Sequence, residues 1–235
     1  MDTGGGPLAL TMGEPSGIGG ELALMAWAAR RDRSVPAFVL LDDPARIEAI
    51  GRLIGLQVPV APVGDPAEAV AAFDHGLPVL PVPLDHAVVP GRPDPENGAA
   101  VLASIERAVM LVQAGACSAM VTNPIQKSAL YQAGFGYPGH TEYLAALAGM
   151  VTEPVMMLAG GGLRVVPVTI HLPLRDAIDA LTTQGIVQCA RVTAAALSAD
   201  FGIEEPRLAL AALEPERRSQ RLPAAAARRG GERAG

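Results

Sequence analysis

Short apolar runs alternate along this chain with longer stretches whose apolar residues recur every three or four positions, and few folds accept that alternation. "LALTM" (8–12) reads as a strand and "GIGGELALMAWAARR" (17–31) as a helix. "AFVLLDD" (37–43) is a strand that runs into "DPARIEAIGRLIG" (43–55), a helix with Asp43 as cap, Pro44 at its first position and Gly55 past its end. "LPVLPVP" (77–83) is extended, and its prolines demote it to an edge or connecting strand. "NGAAVLASIERAVMLVQAG" (97–115) is the strongest helix, with Val101, Ile105, Val109 and Val112 on one stripe, Asn97 as cap and Gly115 as stop. "SAMVTNP" (118–124) is a buried strand with a polar end, followed by short helices over 125–134 and 141–149. "VMMLAG" (155–160) and "LRVVPVTI" (163–170) are strands joined by a glycine hairpin. Helices then cover "LRDAIDAL" and 183–202, and "RLALAAL" (207–213) is a last strand. The expected class is α/β, a mostly parallel sheet with helices on both faces, in one large domain or two small lobes.

Composition narrows the chemistry. Half the residues are hydrophobic but only 3% are aromatic, so Ala, Val, Leu and Ile must build the core. A net charge of -6 offers no basic footprint for nucleic acid. Cys117 and Cys189 form no CxxC pair and read as reduced, buried thiols. The N-terminus has no basic leader region and no uninterrupted apolar stretch is long enough to span a membrane, so the expected location is the cytoplasm. Residues 1–213 form the α/β region. Residues 214–235, with six arginines against three glutamates and no periodic apolar face, are expected to be a disordered tail.

Four places at predicted strand ends carry suggestive residues. "TMGEPSGIGGE" (11–21) has glycines that allow close backbone approach to an anion, but it is neither GxGxxG nor a Walker loop, and such turns also arise for geometry alone. Lys127, the single lysine against 17 arginines, is either a surface residue or the contact for a phosphate or carboxylate. His140 and Thr141 follow the tight "YPG" turn and are either a capped helix start or a polar-acid site. His171 closes the expected strand "VTI" and is either a satisfied structural histidine or a metal ligand. Asp176 beyond it serves as a helix-start carboxylate.

Read together, "GEPSGIGGE", "DPENGAAVLASIERAV", "VTNPIQKSAL", "YPGHTEYLAALAG" and "VMMLAGGGLRVVPVTIHLPLRD" resemble, in order and spacing, the 4-hydroxythreonine-4-phosphate dehydrogenase family of vitamin B6 biosynthesis. The resemblance implies the two-lobed fold of isocitrate and isopropylmalate dehydrogenases and a cytoplasmic homodimer. It also implies oxidation, with decarboxylation, of 4-phosphooxy-L-threonine by NAD or NADP. A divalent metal (zinc, magnesium or cobalt) held by three histidines would polarise the oxygen. On this mapping His140 and Thr141 contact substrate and His171 is the first metal ligand, while no cofactor-binding residue is assigned. Where the family carries an Asn-Pro-His-Ala-Gly-Glu element this chain reads "EPERRS", with no histidine after His171, so the fold is expected to be incomplete at its C-terminus. Glu14 stands where the family has Asp, and Gly20 where it has Pro. The alternatives are a dehydrogenase for another phosphorylated hydroxy acid, such as a phosphothreonate or phosphoerythronate, or an inactive truncated fragment.

Overall fold

The computed structural model describes residues 6–150 and 154–211. The tail expected over 214–235 lies outside the described residues. The chain divides into two compact units, Met1–Val151 and Thr152–Gly235.

In the first unit β1 (Leu8–Thr11), β2 (Phe38–Asp42), β3 (Val60–Pro62), β4 (Leu77–Pro81) and β5 (Ala119–Val121) lie parallel in the order β3-β4-β2-β1-β5. Side chains alternate between the two faces of the sheet, so both faces must be covered. Phe38 and Leu40 pack with Ala23, Leu24 and Trp27 of α1 (Gly19–Ala28) and Ile47 of α2 (Pro44–Leu53). Val39 and Leu41 share the other cluster with Ala69 of α3 (Pro66–Ala72) and with Val101, Ile105 and Ala108 of α4 (Gly98–Gln113). Leu130 of α5 (Lys127–Gln132) and Tyr143 of α6 (His140–Leu147) belong to that second cluster too. The hydroxyl of Ser104, buried in α4, accepts from Met12 N at 3.0 Å and donates to Leu41 O at 2.8 Å, satisfying backbone groups where β1 and β2 end. Trp27 is buried and its Nε1 donates to Phe73 O at 2.8 Å, with the Arg30 guanidinium 3.5 Å over the ring.

Two expectations need correction here. The strand over 77–83 is not at an edge: β4 lies between β3 and β2. Its prolines fall where no ladder bond is lost from the middle. Pro78 precedes the first β2 pair, Leu40–Val79, and Pro81 lies past the last β3 partner, Val79. Asn97 occupies the cap position of α4 without capping it, because its Oδ1 accepts from His86 N at 3.3 Å instead. Asp43 does cap α2, accepting from Ala45 N and Arg46 N.

The second unit is sparer. β6 (Leu158–Gly160) and β7 (Leu163–Val165) form an antiparallel hairpin through Gly161 and Gly162, both at positive φ. α7 (Leu174–Ala180) follows Pro173, and α8 (Thr183–Ala199) is capped by Thr182, whose Oγ1 accepts from Gly185 N. The strand expected to reach Ile170 stops at Val165, because the ladder has only three pairs and Pro167 lacks an N–H to extend it. No strand forms over 207–211, where Ala209 makes only an isolated bridge. Residues 212–213 lie outside the described residues. Both cysteines are free as expected, but Cys189 is half-buried rather than buried.

Candidate functional site

The order of the sheet reverses direction at β1 and β5, so the crevice beyond their carboxyl ends is where an open α/β sheet offers a ligand site. The two loops there are tied together. Gly13 takes a φ of 69°, and a Cβ on it would fall 2.6 Å from Asn123 Cβ and 2.7 Å from Pro124 O, so only glycine allows the approach. Glu14 N donates to Pro124 O at 2.8 Å, and buried Asn123 donates through Nδ2 to Thr11 O at 2.9 Å. Glu14 folds back so that Oε1 accepts both Ser16 N and Ser16 Oγ, at 3.0 and 2.8 Å. The space that a Cβ on Gly20 would need is taken by Ile50 Cδ1, 2.5 Å away.

A buried ion pair fixes this loop from behind. Arg46 donates through Nη1 to Asp42 Oδ2, and through Nε and Nη2 to Pro15 O at 3.1 and 2.7 Å. Asp42 has no exposed surface, and burial pushes its carboxyl up to about 6, more than Arg46 pulls it down. Beside this clamp a cleft of about 490 Å³ is lined by Ser16, Gly17, Glu21, Ile50, Leu84 and His86, among others.

A second corner forms where α5 and α6 begin. Lys127 opens α5, and Gly139 precedes His140 and Thr141 at the start of α6. Lys127 Nζ and Glu142 Oε2 each lie 3.5 Å from the point a Cβ on Gly139 would occupy. His140 Nε2 is shut off from solvent and has no hydrogen-bond partner among the described residues. Burial first, and the Lys127 ammonium second, push the imidazole's pKa down. Thr141 is half-buried next to it. The corner is held by aromatic packing: Tyr143, one helical turn on, stands edge-to-face on Phe135 at 5.1 Å and donates its hydroxyl to Glu106 Oε1 at 2.6 Å.

The structure therefore brings Lys127, His140 and Thr141 together. His171 belongs to the second unit and does not end a strand. It sits exposed in a bend, with a left-handed φ of 59°. Among the described residues no three His, Cys, Asp or Glu side chains gather in a metal-ligand group. Sequence reasoning missed the Asp42–Arg46 clamp, whose only signal was an acid ending an apolar strand four residues before an arginine. It also missed Asn123 and the Glu106–Tyr143 support, which join residues far apart in the chain.

Comparison with known proteins agrees with these motifs. Residues 34–220 match the family described as pyridoxal phosphate biosynthetic protein PdxA. The chain is 52% identical to the 4-hydroxythreonine-4-phosphate dehydrogenase of Methylorubrum populi in an alignment of 215 residues that covers 89% of this chain and 61% of that relative. It is 47% identical to the enzyme of the same name from Bradyrhizobium diazoefficiens, of which it covers 64%. The chain thus spans somewhat under two thirds of the length of these relatives. Among solved structures, 4-hydroxythreonine-4-phosphate dehydrogenase from Klebsiella pneumoniae superposes with a TM-score of 0.76 at 30% identity, over 86% of this chain and 62% of that one. A terephthalate 1,2-cis-dihydrodiol dehydrogenase from Burkholderia xenovorans follows at 0.58 and 28%, over 86% and 60%.

Proposed function

The chain belongs to the family of pyridoxal phosphate biosynthetic protein PdxA, and from that premise we propose that it carries the substrate-anchoring part of a 4-hydroxythreonine-4-phosphate dehydrogenase. The reaction is the NAD(P)-dependent oxidation, with decarboxylation, of 4-phosphooxy-L-threonine in the cytoplasm by a homodimer. The observation that carries this reading is the corner where Lys127 offers a positive charge beside His140 and Thr141, two groups able to hydrogen-bond a polar substrate.

A nicotinamide cofactor would accept the hydride, and a divalent ion would polarise the oxygen. The described residues do not fit a protein-held divalent metal. His171 is the one ligand that the family resemblance supplies, and a lone imidazole leaves most of the coordination sphere to water. No residue cluster here identifies a cofactor seat, and the loop at 13–17 lacks the dinucleotide fingerprint. What the chain's own side chains do is bind and orient. Lys127 draws the anionic end of the substrate, His140 and Thr141 hold its polar groups, and the aromatic support keeps α6 from shifting.

The dihydrodiol dehydrogenase neighbour acts, by its name, on a terephthalate diol, which carries carboxylates and no phosphate, so the fold alone does not call for a phosphate. Lys127 favours an anion, and the phosphothreonates and phosphoerythronates are the second reading. Titrating isotope-labelled protein with 4-phosphooxy-L-threonine should shift the NMR signals of His140 and Thr141, whereas L-threonine at the same concentration should not. Silence of both signals towards the phosphorylated ligand overturns the assignment. Preference for a phosphoerythronate moves it to the second reading.

A further inference from the structure

β5 pairs with β1, but only one of its faces is covered. The register sets Leu8 opposite Ala119 and Leu10 opposite Val121, and residues paired in this way point to the same face of the sheet. Leu8 and Leu10 pack against the cluster that holds α1, so Ala119 and Val121 stand on the α1 side. On the opposite face Ala9 and Met120 pack in the cluster that holds α4. Ala119 and Val121 are nonetheless exposed, Val121 by 46%. α1 stands beside this gap. Its Gly19 lies against Asn123, two residues beyond β5, since a Cβ there would fall 3.0 Å from Asn123 Cγ. Leu22 and Ala26 follow on the same side of the helix, and Leu22 is 44% exposed. Among the described residues nothing covers this trough, with Leu10, Ala119 and Val121 as floor and Leu22 and Ala26 as wall, and no strand takes the outer edge of β5.

The two edges of the sheet differ. β3 is blunted, because Pro59 precedes it and Pro62 ends it, and neither has an N–H to offer another strand. From Ser118 to Asn123 there is no proline and no charge, so β5 keeps an edge that can pair. A parallel sheet is covered on both faces, so what fits here is a strand together with a helix. A second copy of the chain fits poorly. A two-fold axis would pair edge with edge, but the trough would become two strands wide and each α1 is already seated beside it. The longer relatives have chain to fill it. The Klebsiella pneumoniae structure matches 86% of this chain with only 62% of its own, which leaves more than a third of that chain outside the match. We propose that β5 and the Leu22 side of α1 dock a polypeptide strand with an apolar-faced helix, drawn from the part of the relatives that this chain does not match. The strand extends the sheet beside β5, and the helix fills the trough.

The test co-expresses the 235-residue chain with a tagged polypeptide made of the part of the Methylorubrum populi dehydrogenase that lies outside the match. The two should copurify in equal amounts, and the amides of residues 119–121 should exchange about tenfold more slowly in the complex than in the chain alone. Val121→Lys and Leu22→Lys should each weaken association about tenfold, because docking would bury a charge without a partner. Both side chains are exposed, so neither substitution should move the melting temperature of the chain alone, which separates lost docking from lost folding. Leu53→Lys, at a still more exposed leucine at the end of α2, should leave association unchanged. Failure to copurify overturns the assignment, as does association that survives both lysines at β5 and α1. If the chain alone self-associates and Val121→Lys abolishes that, the occupant is a second copy and the assignment falls.

Discussion

The two units of this chain are built from equally regular elements and differ in what those elements bury. In the first, Leu40, Leu41, Ile47 and Leu77 have no exposed surface, and both faces of the sheet's central strands are closed by helices. In the second, only Thr193 and Leu197 are buried among the described residues, while Leu163 is 66% exposed and Leu174 is 73% exposed. Yet α8 is as long as any helix described in the first unit and is capped by Thr182. Helix and hairpin formation needs only local chemistry, such as Thr182 at an N-terminus or Gly161–Gly162 at a turn. Stability needs burial, which the second unit largely lacks.

The sharpest way to break this contrast is a matched pair of truncations. Leu41→Ala should lower the unfolding free energy of the first unit by about 3–4 kcal/mol, measured by urea denaturation, whereas Leu174→Ala should change the second by less than about 0.5 kcal/mol. Similar losses at both positions would mean that Leu174 has a burial partner after all.

A somewhat smaller effect should appear with pH. Asp42 binds its proton more tightly in the folded chain, about 6 against an ordinary 3.8, so between those values the folded state holds more protons than the unfolded. Its contribution to stability is complete below pH 3.8 and is lost as pH rises through 6, a change on the order of 2–3 kcal/mol. Asp42→Asn should flatten that part of the first unit's pH profile. A profile unaltered by the substitution would show that Arg46 compensates the buried charge fully. The described residues of the second unit contain no fully buried carboxylate and should give no such step.

The smallest effect is expected at His171. Its left-handed backbone suits glycine better than any side chain, so His171→Gly should raise the second unit's stability by about 1 kcal/mol or less in thermal unfolding. A loss instead would mean that the imidazole makes a stabilising contact.

The same contrast explains what could be read without coordinates. Asp43, Pro44 and Gly55 bound α2 through contacts within a few residues, so the helix was legible from its ends. Lys127, His140 and Thr141 could be singled out, but their meeting depends on Phe135, Tyr143 and Glu106 packing across three segments. Pro78 and Pro81 misled because proline's penalty depends on which neighbour each position faces, and that is settled only by strand order. His171 misled in the opposite direction. Val168, Thr169 and Ile170 have strand propensity, but among the described residues no partner strand reaches them.

Trp27, tied to Phe73 and stacked under Arg30, is the only tryptophan, and all three tyrosines lie in the first unit as well. The second unit holds a single aromatic residue, Phe201. Intrinsic fluorescence is therefore a one-sided witness. An emission-monitored melt will trace the parallel sheet and its helices as one clean sigmoid, and it will be silent about 152–235 whether that unit has melted earlier, later or at the same time. A tryptophan introduced at Phe201 would give the silent half its own voice and turn the contrast between the two units into two separately readable transitions.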